Sequence, residues 1–167
     1  MKIFYNCIIA SLMLFFSGNV KAQDCSIPMA VVVDEGFSNV TPETASVLET
    51  QLQRLLTQSK LDVGWDNANF AITAKFDQLD RYVVGSAPTQ IANVYGVTVY
   101  LVDVYNQKMF GSAYTEVKGV GTNETKASMN AVRQLNAQNS KLNSFLAGAK
   151  QKIIRYYDSQ LPTLLKE

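Results

Sequence analysis

Histidine is absent from the 167 residues, and cysteine occurs only at Cys7 and Cys25. Without histidine the chain lacks the most common general base of enzymes and the most common protein ligand of transition metals. It also has no Gly-x-Ser-x-Gly sequence, the turn that activates a serine in many hydrolases. We therefore predict a non-enzymatic protein with no catalytic residue, no cofactor and no metal site.

An excess of either charge is also missing, because 15 Lys and Arg face 14 Asp and Glu. Nucleic-acid binding is driven by a dense basic patch, so we expect no nucleic-acid partner. The most apolar segment, Ile8 to Phe16, is well short of the roughly 20 residues that a transmembrane helix needs. We expect no membrane span in the mature chain.

The N-terminus has the three parts of a secretory signal peptide. Lys2 supplies the positive charge, Ile8 to Phe16 the apolar region, and Val20-Lys21-Ala22 a cleavage site with small residues. We predict that residues 1–22 are removed and that the mature chain begins at Gln23, in the periplasm, on the cell surface or secreted. The mature chain then has 15 − 2 = 13 basic and 14 acidic side chains, a net charge of −1.

A lipoprotein signal is the alternative, and it needs a cysteine directly after the cleavage site. Cys7 precedes the apolar region and Cys25 follows the charged Asp24, so neither fits. Cleavage would leave Cys25 as the only thiol, either free or paired between chains. We favour the free thiol.

The centre of the fold is predicted to be a hairpin from Tyr95 to Gly121, with its turn at residues 106–108. Both arms are rich in β-branched and aromatic residues. One face becomes apolar if Leu101 lies opposite Ala113 and Val99 lies opposite Thr115, which requires a loop of three or five residues around Gln107.

The other elements follow from hydrophobic spacing. We predict strands at 29–33, 69–77 and 80–87, a helix beginning at Pro42, and two helices after residue 122, the second capped by Ser140. Strict alternation puts Phe70, Ile72 and Phe76 in the core. The predicted class is α+β, a mainly antiparallel sheet of four or five strands packed by helices in the order β-α-β-β-β-β-α-α. Residues 23–160 form one domain, and 161–167 are a tail or the start of a further segment.

Two motifs have both a functional and a structural interpretation. Gly119-x-Gly121 lies between a strand and a helix, as in phosphate-binding loops, but no third glycine follows. We expect these glycines to make the turn and to admit the helix. Four aspartates without the spacing of a calcium loop are expected at turns and strand ends rather than at a cation: Asp66, Asp77, Asp80 and Asp103.

The candidate binding residues are Tyr100, Tyr114, Glu116 and Lys118, which the hairpin register places on the face away from the core. Exposed tyrosines with charged neighbours are common recognition residues. A second layer of the fold covering them is the alternative. Three further aromatic residues of the hairpin were considered with them: Tyr95, Tyr105 and Phe110.

Four segments together resemble a bacterial envelope superfamily: residues 80–86 (DRYVVGS), 96–103 (GVTVYLVD), 108–112 (KMFGS) and 119–121 (GVG). Its members include the curli-secretion lipoprotein, the lipoprotein activators of penicillin-binding proteins and the N-terminal domain of the Tol-Pal periplasmic protein. The resemblance covers about residues 29–135. The chain departs from the pattern at Asn106-Gln107, where Thr-Gly is usual, and in lacking the lipid-anchoring cysteine.

The resemblance implies a sheet with packed helices that serves assembly or protein contact, with no catalytic residues. We therefore expect an exported envelope interaction module whose partner is an envelope protein or a second copy of the chain. The rival expectation is a protein that binds a small ligand or a polysaccharide with Trp65 and the tyrosine surface.

Overall fold

The structure is a computed structural model that describes residues 27–66, 68–85, 88–136 and 138–164. The predicted signal peptide, Gln23 and Cys25 lie outside these ranges. In chain order the elements are β1 (Pro28–Val31), α1 (Glu35–Ser38), α2 (Pro42–Gln58), β2 (Asp62–Val63), β3 (Phe70–Val84), β4 (Gln90–Asp103), β5 (Lys108–Gly121), α3 (Glu124–Val132) and α4 (Ser140–Leu164).

The strands form one five-stranded sheet in the order β2-β1-β3-β4-β5. Strand β1 runs parallel to both β2 and β3, while β3, β4 and β5 pair antiparallel. The predicted α+β class is confirmed, with a sheet that is mixed because α1 and α2 return the chain to the same end before β2 and β3 begin. The short β2 and the one-turn α1 were not predicted.

The two strands predicted at 69–77 and 80–87 are a single strand, β3. Gln78 lies opposite Tyr95 and Asp80 opposite Val94, so Leu79 is an extra residue in a β-bulge. The prediction of two strands was wrong because the alternation breaks at Leu79, and the bulge restores pairing with β4 after this break.

The predicted hairpin register was wrong by two residues. Leu101 lies opposite Gly111, not Ala113, and Val99 lies opposite Ala113. The loop has four residues, 104–107, with Gln107 in the left-handed region at φ 50°. Because side chains alternate with a period of two, a shift of two leaves Tyr100, Tyr114, Glu116 and Lys118 on their predicted face.

A β-bulge with one extra residue in β5 also lies opposite Leu101 and Val102. It adds Phe110 to β5, and the ring of Phe110 is buried against Phe70 at a centroid distance of 5.4 Å. At the start of the loop the buried Asp103 carboxylate accepts hydrogen bonds from the backbone N and Nδ2 of Asn106, at 2.9 and 2.8 Å. These bonds close the turn without an Asn-Gly pair.

The core lies between one face of the sheet, called here the inner face, and helices α2, α3 and α4. Phe70, Ile72 and Phe76 are buried in it, as predicted. The helices contribute an apolar face each, which includes Leu48, Leu52, Leu55, Leu56, Ala131, Val132, Leu142, Leu146, Ala149 and Ile153. None of the described helices is long and apolar enough to cross a membrane.

Gly119 and Gly121 bring α3 into direct contact with the backbone of β5. A Cβ on Gly119 would lie 1.8 Å from the carbonyl oxygen of Ala127, and one on Gly121 would lie 2.4 Å from the nitrogen of the same residue. The predicted role of these glycines in admitting the helix is confirmed. Both lie inside β5 rather than in a turn.

Helix α4 is capped one residue earlier than predicted. Asn139 Oδ1, not the Ser140 hydroxyl, accepts from the backbone nitrogens of Lys141 and Leu142. The helix continues through Leu164, past the predicted domain end at residue 160. Helix α2 begins at Pro42 as predicted.

Candidate functional site

The face of the sheet opposite the core, called here the outer face, carries the candidate residues. Helices α2, α3 and α4 all contribute to the core on the inner face, and no described helix of more than one turn covers the outer face. In the pairing of β4 with β5, Tyr100 lies opposite Ser112, Tyr114 opposite Thr98, and Glu116 opposite Gly96. The alternative in which a second layer covers the tyrosines is not seen in the described part of the chain.

The structure brings three of the four predicted residues together. Tyr100 and Tyr114 are diagonal neighbours on adjacent strands, a separation that aromatic side chains can bridge. Glu116 follows Tyr114 on the same face of β5. Lys118 shares this face but lies four residues from Tyr114, about 13 Å along the strand.

The Tyr114 side chain is fixed in place by a glycine on the neighbouring strand. A Cβ on Gly96 would lie 2.8 Å from the Tyr114 hydroxyl and 2.9 Å from a ring carbon, so the ring lies over Gly96. The hydroxyl donates to Glu116 Oε1 at 3.2 Å. The side chain nevertheless remains 48% exposed, which makes it a preordered aromatic surface.

The same arrangement changes the acidity of the phenol. Partial removal of the ring from water raises the pKa of Tyr114 above its ordinary value of 10.0, and the hydrogen bond to Glu116 and the negative charges of Glu116 and Asp77 raise it further. Tyr114 is therefore a neutral hydrogen-bonding group at physiological pH.

Phe37 belongs to the same cluster, and sequence reasoning missed it. Its ring meets Tyr100 edge to face at 5.9 Å, and the side chain is 47% exposed. Helix α1 holds it there, because Asp34 Oδ1 accepts from the Phe37 nitrogen at 2.7 Å and Asn39 Nδ2 donates to the Phe76 carbonyl at 3.1 Å. The Asp34 cap was a signal for a short helix, but no local pattern could place it beside β4.

Charged side chains of β3 complete this surface. Lys75 lies opposite Thr98 and Asp77 opposite Gly96. The two form an ion pair with 3.4 Å between Nζ and Oδ1, both about half exposed. We call Phe37, Lys75, Asp77, Tyr100, Tyr114 and Glu116 the outer patch.

The other aromatic residues do not join the outer patch. Tyr95 and Phe110 are buried in the core, and Tyr105 is exposed in the loop between β4 and β5. Trp65 is 64% exposed but follows β2, at the opposite edge of the sheet from Tyr114 and about 19 Å across four strand spacings. The rival expectation of one surface combining Trp65 with the tyrosines is therefore wrong.

The aspartates considered as cation ligands are separated. Asp103 closes the hairpin loop, and Asp77 is paired with Lys75. Among the described residues, no three acidic or cysteine side chains gather as a group that could hold a metal ion. The expected role of Asp103 at a turn is confirmed.

Comparison with known proteins gives structural likenesses only. No protein-family model matches the chain, and no curated protein matches its sequence. The chain is 17% identical to a minor lipoprotein from Acinetobacter baumannii, covering 78% of this chain and 90% of that one, with a TM-score of 0.40.

Two further solved structures have a similarly low sequence identity and TM-score. The PelC dodecamer from Paraburkholderia phytofirmans is 17% identical over 66% of this chain and 86% of its own, with a TM-score of 0.42. A protein from Xanthomonas campestris is 16% identical over 85% and 93%, with a TM-score of 0.43. At these TM-scores the likenesses establish neither family nor function, and membership of the curli-secretion superfamily stays a prediction.

Proposed function

We propose that the protein is an exported, non-enzymatic component of the bacterial envelope that binds another envelope protein through the outer patch. The observation that carries this proposal is one-sided packing: the long helices cover the inner face, and the outer face presents Phe37 and Tyr114 half exposed beside charged groups. Aromatic side chains in an ordered setting are frequent binding hot spots, because little rotamer freedom is lost on association.

The composition of the outer patch favours a protein over other partners. It combines a small aromatic centre with one ion pair and a carboxylate, which resembles the apolar core and polar rim of a protein interface. Its charges are mixed in sign, so the outer patch offers a polyanion no net electrostatic attraction. The signal peptide predicted for residues 1–22 supplies the export part of the proposal.

The size of the outer patch limits how strong the contact can be. About 20 Å of strand length across about 14 Å of sheet gives roughly 300 Å². A stable interface buries about 800 Å² on each partner. The outer patch is therefore the centre of a larger interface, or it is the whole of a weak and transient one.

Photo-crosslinking in cells tests this proposal directly. A benzoylphenylalanine introduced in place of Tyr114 is expected to give one main adduct with another envelope protein, and one in place of Tyr105 is expected to give none. The double substitution Tyr100→Ser with Tyr114→Ser should abolish recovery of that protein while leaving the unfolding free energy nearly unchanged.

The matched control removes two aromatic residues that are at least as exposed and lie outside the outer patch, Trp65→Ser with Tyr105→Ser. It should recover the partner as the unmodified protein does. Equal recovery by both double variants, or adducts from position 105 alone, would place the partner surface elsewhere.

A further inference from the structure

A second feature of the structure lies on the inner face, away from the outer patch. It is a cavity of about 230 Å³ where the chain enters α2, where β3 bulges, and where α3 begins. Six of its polar lining residues are Asn39, Thr41, Gln78, Tyr95, Thr125 and Ser128.

The lining is almost entirely hydroxyl and amide groups. Among the described residues of the wall, Val40 is the one aliphatic side chain, and none is a lysine or an arginine. The only charged lining residue, Glu124, is paired with Arg81, with 2.9 Å between Oε1 and Nε. An anion would find no cation in the wall, whereas an uncharged molecule rich in hydroxyls would find both donors and acceptors.

Buried hydrogen-bonding capacity is left over next to this cavity. Tyr95 is 8% exposed, and its hydroxyl accepts from Asn93 Nδ2 at 3.0 Å. Within the described residues no acceptor is seen for the Tyr95 hydroxyl proton, and the Oδ1 of the fully buried Asn93 has no partner. Buried polar groups in native proteins are rarely left without a partner, and Tyr95, which lines the cavity, can donate its hydroxyl proton to a group that enters it.

One group of the wall, the Asn39 side chain, is held in position by the protein itself. Asn39 has a left-handed backbone, φ 54°, and its Nδ2 is bonded to the Phe76 carbonyl, which leaves its Oδ1 as an acceptor. Side chains fixed in this way lose little freedom when a ligand binds.

We propose that this cavity binds one neutral saccharide unit, with the Tyr95 hydroxyl as donor and the Asn39 amide oxygen and the Thr125 hydroxyl as acceptors. The proposal does not depend on the function of the outer patch, because the two sites lie on opposite faces of the sheet. A single ring matches the volume, and further units of a chain would extend into solvent past Glu124, whose side chain is largely exposed.

Nuclear magnetic resonance titration of the ¹⁵N-labelled protein with D-glucose and N-acetyl-D-glucosamine provides the test, with glycerol as a hydroxyl-bearing control. We expect at least one sugar to shift the amide signals of Tyr95, Thr125 and Ser128 saturably, with a Kd of roughly 1 mM. Glycerol should not. Absence of such shifts for both sugars at about 50 times that concentration, or equal shifts with glycerol, would overturn the proposal.

Two variants separate binding from folding. Tyr95→Phe removes the hydroxyl and keeps the ring that packs on Phe76, and Thr125→Val replaces a hydroxyl by a methyl group of similar shape. Each should weaken sugar binding at least about fivefold, while Tyr105→Phe in the hairpin loop should bind as the unmodified protein does. If Tyr95→Phe does not fold, Thr125→Val alone decides: unchanged affinity in that variant contradicts the site.

Discussion

Replacing Gly119 by alanine is expected to be among the most damaging single-methyl additions that this protein can receive. The new Cβ would lie 1.8 Å from the carbonyl oxygen of Ala127 and 2.4 Å from the nitrogen of Ala131. Both of these atoms belong to the backbone of α3, so no side-chain rotation can relieve the contact. Strand and helix must therefore separate.

The size of the effect follows from the distance that α3 must move. Ordinary contacts begin at 3.4 Å, so the Cβ needs a displacement of about 3.4 − 1.8 = 1.6 Å if α3 moves straight back. A gap of 0.5–1 Å already removes about a quarter to a half of the dispersion energy of a contact. Ala127, Ala131 and Val132 are all fully buried and would share this loss. Because overpacking by itself costs about 1–3 kcal/mol, we expect a total of at least about 3 kcal/mol.

Two other glycines provide matched controls for the same chemical change. Gly148 lies in α4 with nothing within 4 Å of its Cβ position, so Gly148→Ala should stabilise the protein by about 0.5–1 kcal/mol. At Gly96 the three atoms nearest to the Cβ all belong to the half-exposed Tyr114 side chain, which must leave its position over the glycine while the backbone stays, and we expect a loss below about 1 kcal/mol. The expected order of stability is Gly148→Ala, then Gly96→Ala, then Gly119→Ala.

Urea unfolding followed by far-ultraviolet circular dichroism measures all three, because the single tryptophan is exposed and reports poorly on the core. The m value should be the same for each variant, so that differences in midpoint report stability. A loss below about 1 kcal/mol for Gly119→Ala would refute the close packing of α3 on β5.

Three further predictions concern the core, a helix cap and the outer patch. Phe76→Ala, at a fully buried ring, should lower the free energy of unfolding by about 3–5 kcal/mol, and a loss under about 1 kcal/mol in the same titration would mean that the inner face is solvated. Asn139→Ala should lower the free energy of unfolding by about 1 kcal/mol, because it removes the cap of α4, whereas Ser140→Ala should lower it by only a few tenths of a kcal/mol. If thermal unfolding shows the reverse order, Ser140 rather than Asn139 is the cap. Ultraviolet titration should show the pKa of Tyr114 above 10.0, and Glu116→Gln should lower it toward that value. Since the phenol has a higher pKa in the folded than in the unfolded protein, its contribution to stability is complete below about pH 10 and is lost as the pH rises above this value. An unshifted pKa of Tyr114 would contradict its hydrogen bond to Glu116.

Local pattern was sufficient where one physical requirement acted on a short segment. The alternation from Phe70 to Phe76 assigned a strand and its buried face, because successive side chains must point to opposite sides of a sheet. Thr41-Pro42 located the start of α2, because proline suits the first turn of a helix. The same reasoning placed Tyr100 and Tyr114 on one face even though their predicted register was wrong, because a shift of two residues leaves a side chain on the same face of the sheet.

Tertiary structure decided what depends on residues distant in the sequence. The bulges at Leu79 and Phe110 are defined only by the pairing of β3, β4 and β5, because the break in alternation at Leu79 does not by itself distinguish a bulge from the end of a strand. Phe37 reaches Tyr100 only because α1 is anchored to β3 through Asn39 and Phe76. Both the outer patch and the polar cavity consist of side chains from several elements, so neither could be listed from spacing alone.

The sequence by itself determined which residues avoid water, and with it the class of the fold, the inner and outer faces of most strand residues and the place where α2 begins. Those properties depend on side-chain polarity and backbone preference within a few residues. Strand order, the close contact of α3 with Gly119, and the meeting of Phe37 with Tyr100 were decided only by the folded chain. They depend on which distant surfaces fit together, and that fit is a property of shape in three dimensions rather than of hydrophobic pattern.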